Sequence, residues 1–327
     1  MERDKKDNSS IQRILIGSWI TLNHFSIAEI MADAGFDWLC VDMEHSVIDY
    51  FEAQQLIATI QSKGIKAFVR VGENNTRIIK RVLDAGADGI IVPMVNSKED
   101  AQKAINAVKY PPKGKRGVGL ARAQKYGFGF EEYKNGKANQ IKLIVQIEHI
   151  DAINNLEEIL QLDDIDGTFI GPYDLSGSMG KPGKYDDEDV KEVLSRYEEI
   201  VKKYDKLIGF HVIQPDYQLV LDKIDKGYNF IAFSLDTIFL GSIARAQMDL
   251  LKRNKKNFRL NTFSGNIESV IDLPRGSKPL NIVKIEKLTG FDDGIYFGEY
   301  FNNPNKSSVR IFKYVNDSLE KVYEFLY

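Results

Sequence analysis

From residue 13 onward the chain alternates short, β-branched apolar runs with longer segments of helical period, eight times over. The runs fall at 14–20, 38–43, 67–71, 89–95, 143–147, 167–170, 207–213 and 230–234. Helical patterns occupy 28–34, 51–62, 77–85, 99–108, 152–160, 188–204, 217–226 and 238–251. Gly35, Gly64, Gly86 and Gly227 stand where helices close, a position that favours glycine. Near-continuous apolar strands separated by helices indicate a parallel sheet covered on its outer face. Eight such units within roughly 250 residues predict a (β/α)8 TIM barrel. An open doubly wound sheet is the competing architecture, but it usually has fewer strands and a glycine-rich first turn. Here the first strand runs into Thr21-Leu22-Asn23-His24, and Gly117-Val118-Gly119 lies inside a loop, so neither stretch marks a nucleotide site.

Charge and cysteine usage narrow the function classes. Lys plus Arg number 44 against 47 Asp plus Glu, a net charge of -3, which gives no footprint for nucleic acid or another polyanion. Cys40 is the single cysteine and lies in an apolar strand, so no internal disulfide framework exists and the reading is a reducing compartment. Residues 1–10 are polar, lack the apolar core of a signal peptide, and read as a flexible N-terminus. No apolar stretch approaches the length of a membrane span. The expectation is a cytoplasmic protein that engages neither membrane nor nucleic acid.

A barrel gathers the C-terminal ends of its strands at one mouth, where catalytic groups stand. Those ends carry Asp42, Glu44 and His45 (second strand), Arg70 (third), Gln146 and Glu148 (fifth), Asp174 (sixth), His211 and Gln214 (seventh) and Asp236 (eighth). Glu148 and Asp174, with Gln146 beside them and no cysteine ligand, suit a hard divalent cation. The alternative is that each carboxylate caps a helix or binds an arginine. His45 near Asp42 fits a base with its orienting carboxylate, or else a structural strand-end histidine. Arg70 requires an anion, either Glu44 or a substrate carboxylate held by its planar fork. His149 opens the next loop and reads as a surface residue. A Schiff-base mechanism needs a lysine inside the barrel. Lys66 and Lys142 stand at strand starts and Lys181 in a loop, so the electron sink falls to a metal.

With these residues in view, the chain resembles the HpcH/HpaI aldolase family, the metal-dependent pyruvate aldolases related to the citrate lyase β subunit. The resemblance spans about residues 16–253. It rests on Gly35-Phe36-Asp37-Trp38 before Val41-Asp42-Met43-Glu44-His45, on Val69-Arg70-Val71, and on Leu83-Asp-Ala-Gly-Ala-Asp-Gly-Ile-Ile-Val-Pro93. Further on come Tyr110-Pro-Pro-Lys-Gly-Lys-Arg-Gly117, Ala121-Arg122-Ala123 with Tyr126-Gly127, Gln146-Ile147-Glu148, and Gly171-Pro172-Tyr173-Asp174-Leu175-Ser176 with Ser178-Met179-Gly180. The resemblance implies that Glu148 and Asp174 bind Mg²⁺, Mn²⁺ or Co²⁺ with no organic cofactor. It also implies that pyruvate sits against the metal, Gln146 and the backbone of Gly171, Pro172 and Tyr173, with Trp19 and Arg70 in the substrate-binding set. Arg70 would then stabilise an enolate oxygen, and His45 with Asp42 would handle protons. Asp84 matches a catalytic position at the subunit interface, and the assembly implied is a homo-oligomer, a hexamer above others. The expected substrates are pyruvate, or a close 2-oxo acid, and an aldehyde. An acyl-CoA lyase is the enzymatic alternative and a carboxylate-binding scaffold the non-enzymatic one.

This chain departs from the family pattern in three places. Gly72 stands where proline is common, and Ser234-Leu235-Asp236 replaces a glycine-containing version. Strand seven reads Phe210-His211-Val212-Ile213-Gln214, which implies a distinct acceptor pocket. Beyond the barrel, taken as 11–253, residues 254–327 turn to alternating segments at 283–288, 309–315 and 322–326 separated by turn-rich stretches, and they are dense in Phe and Tyr. They predict a small β-rich C-terminal accessory domain, with a ligand- or partner-binding module as the functional alternative.

Overall fold

The computed structural model describes residues 13–257, 282–285, 296–303, 306–315 and 318–326. Eight parallel strands close into a barrel in sequence order: β1 (Leu15–Ile20), β2 (Trp38–Asp42), β3 (Lys66–Arg70), β4 (Gly89–Val92), β5 (Lys142–Ile147), β6 (Gly167–Ile170), β7 (Leu207–Val212) and β8 (Phe230–Leu235), with β8 pairing back onto β1. The helices are α1 (Phe25–Asp33), α2 (Tyr50–Ser62), α3 (Thr76–Ala85), α4 (Lys98–Val108), α5 (Phe130–Asn135), α6 (Ile150–Asn154), α7 (Leu156–Leu160), α8 (Pro172–Ser178), α9 (Glu188–Val201), α10 (Tyr217–Asp225) and α11 (Asp236–Asn257). Gly35, Gly64, Gly86 and Gly227 all take positive φ, as helix closure requires. No helix among the described residues is long and apolar enough to cross a membrane.

Two boundaries differ from the sequence pattern for local reasons. Strand four stops at Val92, because Pro93 has no N–H for the ladder and Met94 turns to φ 52°. The helix expected over 152–160 is split at Asn155, whose backbone (φ -101°, ψ 7°) leaves the helical well between α6 and α7.

The barrel interior is an aromatic stack. Trp38 lies flat on Phe230, ring centroids 4.2 Å apart, and both rings meet Phe68 at a tilt. Two small residues make room for them. A Cβ on Gly17 would fall 2.0 Å from the Trp38 ring, and one on Gly89 would fall 2.2 Å from the Phe68 ring. The core outside the barrel is a separate, larger aliphatic cluster between strands and helices, including Leu39, Ile57, Ile79, Leu83 and Ile147.

The chain divides into two compact units, Met1–Ser242 and Ile243–Tyr327. In the second, β9 (Ile282–Ile285), β10 (Tyr296–Asn303), β11 (Lys306–Val315) and β12 (Ser318–Leu326) form an antiparallel sheet in the order β12-β11-β10-β9. Residues 286–288 of the first alternating segment, and residues 1–10, lie outside the described residues.

Gly17→Ala places a methyl group inside the Trp38 ring, so the ring must leave its stack on Phe230. The expected cost is about 3 kcal/mol, the upper end for overpacking a filled core. Denaturant unfolding of the variant beside the parent measures it, and an unchanged midpoint would contradict the packing described.

Candidate active site

The mouth is built on the register of two neighbouring strands. Asp42 ends β2 and Arg70 ends β3, directly opposite one another in the parallel ladder. Arg70 Nε donates to Asp42 Oδ1 at 2.9 Å and Nη2 donates to Oδ2 at 2.6 Å, a bidentate pair with Asp42 buried. The backbone N–H groups of Glu44 and His45 also donate to Asp42 Oδ1, at 3.1 and 3.3 Å. Burial opposes ionisation of Asp42, yet Arg70 and these two amides outweigh it and hold the carboxyl below its ordinary range. Ser46 Oγ donates to the Asp42 carbonyl and fixes the turn that follows.

This geometry corrects one expectation. Asp42 does not orient the His45 ring, because its oxygens are taken by Arg70 and by backbone amides. The exposed His45 imidazole instead has Nε2 3.8 Å from Glu44 Oε2. Glu44 in turn lies 3.3 Å from Arg70 Nε. The Arg70 guanidinium is thus shared between two carboxylates and rests 4.4 Å over the Trp19 ring. Of the two anions weighed for Arg70, Glu44 is present, but Asp42 holds the fork.

Across the mouth, Glu148 follows β5 and is buried. Met94 N–H donates to its Oε1 at 2.7 Å and Gln146 Nε2 to its Oε2 at 3.0 Å. The Met94 amide is available because of the left-handed turn that ends strand four. Gly171 permits the close approach of β6, since a Cβ there would lie 3.0 Å from Glu148 Cβ and 3.3 Å from Oε2. Burial raises the Glu148 carboxyl above its ordinary value; the Met94 amide offsets part of this, and the charges of Glu44 and Asp174 add to it. Asp174 stands not at the strand end but in the first turn of α8, whose first residue is Pro172; Asp174 and Tyr173 are both exposed.

The same forces act on Glu44, whose carboxyl is pushed up to about 7 by burial; Arg70 opposes the shift, and Asp42 and Asp174 reinforce it. Asp42 and Arg70 offset one another, so Glu44, Glu148 and Asp174 remain as excess negative charge at one rim. Three buried polar atoms there have no hydrogen-bond partner: Trp19 Nε1, Glu44 Oε2 and Gln146 Oε1. Glu148 and Asp174, with the Gln146 oxygen, offer an oxygen-only donor set that fits a hard divalent cation completed by water and substrate. Among the described residues no group of three or more His, Cys, Asp or Glu is placed to hold a metal ion, so the protein donors here are two carboxylates and an amide oxygen.

Other sequence candidates go elsewhere. Asp236 accepts from Thr21 N, Thr21 Oγ1 and Leu22 N at 2.8, 2.6 and 2.8 Å, so it fastens β8 to the loop after β1. Gln214 is exposed. His149 accepts from Asp151 N at 3.1 Å and caps α6. Lys66 and Lys142 open their strands opposite Asp88 and Asp166, and Lys181 pairs with Asp187. Asp84 lies near the end of α3, which returns to the strand starts, and accepts from the buried Arg116 at 2.8 Å and from Gln124 at 3.3 Å. Within one chain it is therefore at the end of the barrel opposite Arg70. The residue that sequence reading missed is Met94, whose amide orients Glu148; only Pro93 beside it hinted at a break.

Comparison with known proteins gives the family and the fold. A family model described as HpcH/HpaI aldolase/citrate lyase matches residues 15–240. A hydroxypyruvate/pyruvate aldolase of Roseobacter denitrificans is 36% identical over 236 residues, covering 72% of this chain and 91% of the relative. A 2-keto-3-deoxy-L-rhamnonate aldolase of Escherichia coli is 34% identical over 252 residues, covering 76% and 92%. Among solved structures, an HpcH/HpaI aldolase/citrate lyase family protein from Burkholderia cenocepacia superposes with a TM-score of 0.69 at 30% identity, covering 74% of this chain and 95% of that one.

The raised Glu44 carboxyl has a measurable consequence in metal-free protein. Between its ordinary value of 4.5 and about 7, the folded state holds a proton that the unfolded chain releases. Stability is therefore withdrawn as pH rises through that window, and the full penalty is present above it. Glu44→Gln cannot ionise, so the fall in unfolding free energy between pH 5 and pH 8 should be smaller than in the parent. Equal falls in urea titrations of the two proteins would contradict the assignment.

Proposed function

Because the chain belongs to the HpcH/HpaI aldolase/citrate lyase family and is a lyase, we propose that it reversibly joins pyruvate, or a close 2-oxo acid, to an aldehyde with the help of Mg²⁺, Mn²⁺ or Co²⁺. The observation that carries this reading is a buried Glu148 whose carboxyl is raised in part by the Asp174 charge, across the mouth from an Arg70 fixed by Asp42. A divalent cation held by Glu148 and Asp174 would supply a Lewis acid for the ketone oxygen. Gln146, with its free oxygen beside Glu148, lines the same place. Pyruvate's carboxylate is assigned to the start of α8, where the amides of Tyr173 and Asp174 have no acceptor within the helix; Gly171, whose own amide donates to the Ile147 carbonyl, and Pro172, which has no N–H, line the approach.

Breaking a carbon–carbon bond next to a ketone leaves negative charge on the enolate oxygen. Arg70 stands ready to meet that charge without reorganisation, since Asp42 and the Trp19 ring already fix its plane. His45, exposed and beside Glu44, is the group free to move a proton at the acceptor oxygen, directly or through water. Asp42 serves this chemistry as the holder of Arg70.

Asp84 enters only in an assembly. We assign it to the mouth of a second copy, in a homo-oligomer with the hexamer favoured; exposed Leu240, Ile243, Met248 and Leu251 on α11 supply apolar surface for such contacts. Residues 254–327 are assigned as an accessory domain that contributes none of the groups above.

Glu148→Gln or Asp174→Asn should abolish Mn²⁺ binding, read by calorimetry, and with it aldol turnover. His45→Ala should keep metal binding and lose roughly 10²–10⁴ in turnover, the range for a general acid or base. Undiminished Mn²⁺ affinity in either carboxylate variant would overturn the site. Arg70→Lys and Asp84→Ala chains, each expected to be inactive alone, should regain activity when co-expressed, because mixed assemblies contain mouths with both residues intact. Failure of that rescue in demonstrably mixed oligomers would remove Asp84 from the chemistry.

A further inference from the structure

Strand β7 carries an imidazole into the barrel mouth that the chemistry above does not use. Inward positions on β7 alternate as Leu207, Gly209 and His211, and His211 pairs with Ala232, itself part of the interior cluster. The His211 ring meets the Trp19 ring edge to face, centroids 5.7 Å apart, and the Arg70 guanidinium of the mouth lies 4.4 Å over the same Trp19 ring. Its Nε2 lies 3.2 Å from the Ser234 carbonyl. A carbonyl only accepts, so Nε2 carries the hydrogen and Nδ1 of the neutral ring presents a lone pair.

The fold goes to some length to aim this ring. The β1–β8 register shifts between Gly17, opposite Ala232, and Trp19, opposite Leu235, so two residues of β8 face Ser18. Such a bulge re-aims backbone groups. Ser234 sits at φ 52°, a conformation that is costly for a residue with a side chain, and its Oγ donates to the Ile213 carbonyl at 2.9 Å. Its own carbonyl accepts from both Ser18 Oγ, at 3.2 Å, and His211. Sequence departures at His211 and Ser234 are thus one structural unit. Beside it, the buried Trp19 Nε1–H lacks a partner, a donor left for something other than protein.

We propose that His211, positioned by the Ser234 carbonyl, determines acceptor specificity by accepting a hydrogen bond from a hydroxyl of the aldehyde, so that the enzyme selects hydroxyaldehydes over apolar ones of equal size. This rests on the aldolase reading and names the acceptor class for the same mouth. A site built to bond a hydroxyl leaves its own buried polar groups unpaired when an isostere lacks one, which is where discrimination arises. His211 takes no part in forming the enolate, so its role is confined to the acceptor.

Glycolaldehyde and propionaldehyde differ by a hydroxyl in place of a methyl, and they are the probe pair, with pyruvate and Mn²⁺ on the full-length protein. The parent should prefer glycolaldehyde in kcat/KM. His211→Leu should lower that preference roughly tenfold or more, with propionaldehyde turnover and pyruvate C3 proton exchange within about threefold of the parent. His211→Gln, which keeps a donor for Ser234 and an acceptor for the hydroxyl, should retain part of the preference. Nitrogen-15 spectra of the four histidines, assigned with His211→Gln, give a readout that needs no folded leucine variant. They should show a neutral His211 protonated at Nε2, with the Nδ1 signal moving on saturation with glycolaldehyde and not with propionaldehyde. Equal loss toward both aldehydes in His211→Leu, no preference in the parent, or an Nδ1-protonated ring overturns the inference while leaving the aldolase reading intact. Absence of pyruvate C3 exchange in the parent overturns the aldolase reading itself, and this inference with it.

Discussion

The Asp42–Arg70 pair is the interaction on which the mouth depends. Two charges removed from water cost several kcal/mol each unless their hydrogen bonds are completed. Here Asp42 receives both prongs of the fork and two backbone amides, and Arg70 additionally faces Glu44 and the Trp19 ring. Because the two residues are direct ladder partners, the register of β2 on β3 sets their distance before any side chain chooses a rotamer. The pair is therefore built on rigid elements, and the guanidinium plane cannot drift. Removing Asp42 would do more than delete a charge, since it would free the cation that the rest of the mouth is arranged around.

Once Arg70 is spoken for, the other carboxylates are left in surplus. Glu44 and Glu148 hold their protons more tightly than ordinary carboxylates, Glu44 through burial and the charges of Asp42 and Asp174, Glu148 through burial and the charges of Glu44 and Asp174. A group that favours a proton because negative charge is crowded also favours a metal cation, which brings two charges to the same place. The raised carboxyls, and the oxygens of Glu44 and Gln146 that receive no hydrogen bond, describe one electrostatic condition from two sides.

How much of this was legible in the chain depends on the range of the forces involved. Strand order, the helix-closing glycines and the residues at strand ends follow from local pattern, and each of β1 to β8 overlaps its expected run. Partnerships did not follow. Asp42 stands three residues from His45, which suggested that it orients the ring, whereas its partner is Arg70 on the next strand. Pro93 marked the end of a strand, yet nothing local indicated that the Met94 amide would reach Glu148 across 54 positions of sequence. The bulge that aims the Ser234 carbonyl is a mismatch between the first and last strands of the barrel, and it exists only on closure. Sequence pattern reports which side chains share a face; contacts between strands distant in the chain require the closed sheet.

The layer beneath the charges gives them their strength. Trp19 touches Phe169 edge to face at 5.7 Å, and below it Trp38, Phe68 and Phe230 fill the barrel, accommodated by Gly17 and Gly89. This floor is dry and close-packed, so field lines from Arg70 and the carboxylates pass through a medium far less polarisable than water. The same pair of charges would interact weakly on an open surface. A flat aromatic floor also leaves few polar atoms, which makes the exceptions informative: Trp19 Nε1 and the His211 ring are hydrogen-bonding groups set at its upper edge. On the proposed function the barrel would separate two tasks by depth, the charged rim serving the oxo acid and the polar edge of the aromatic floor recognising what that acid is joined to.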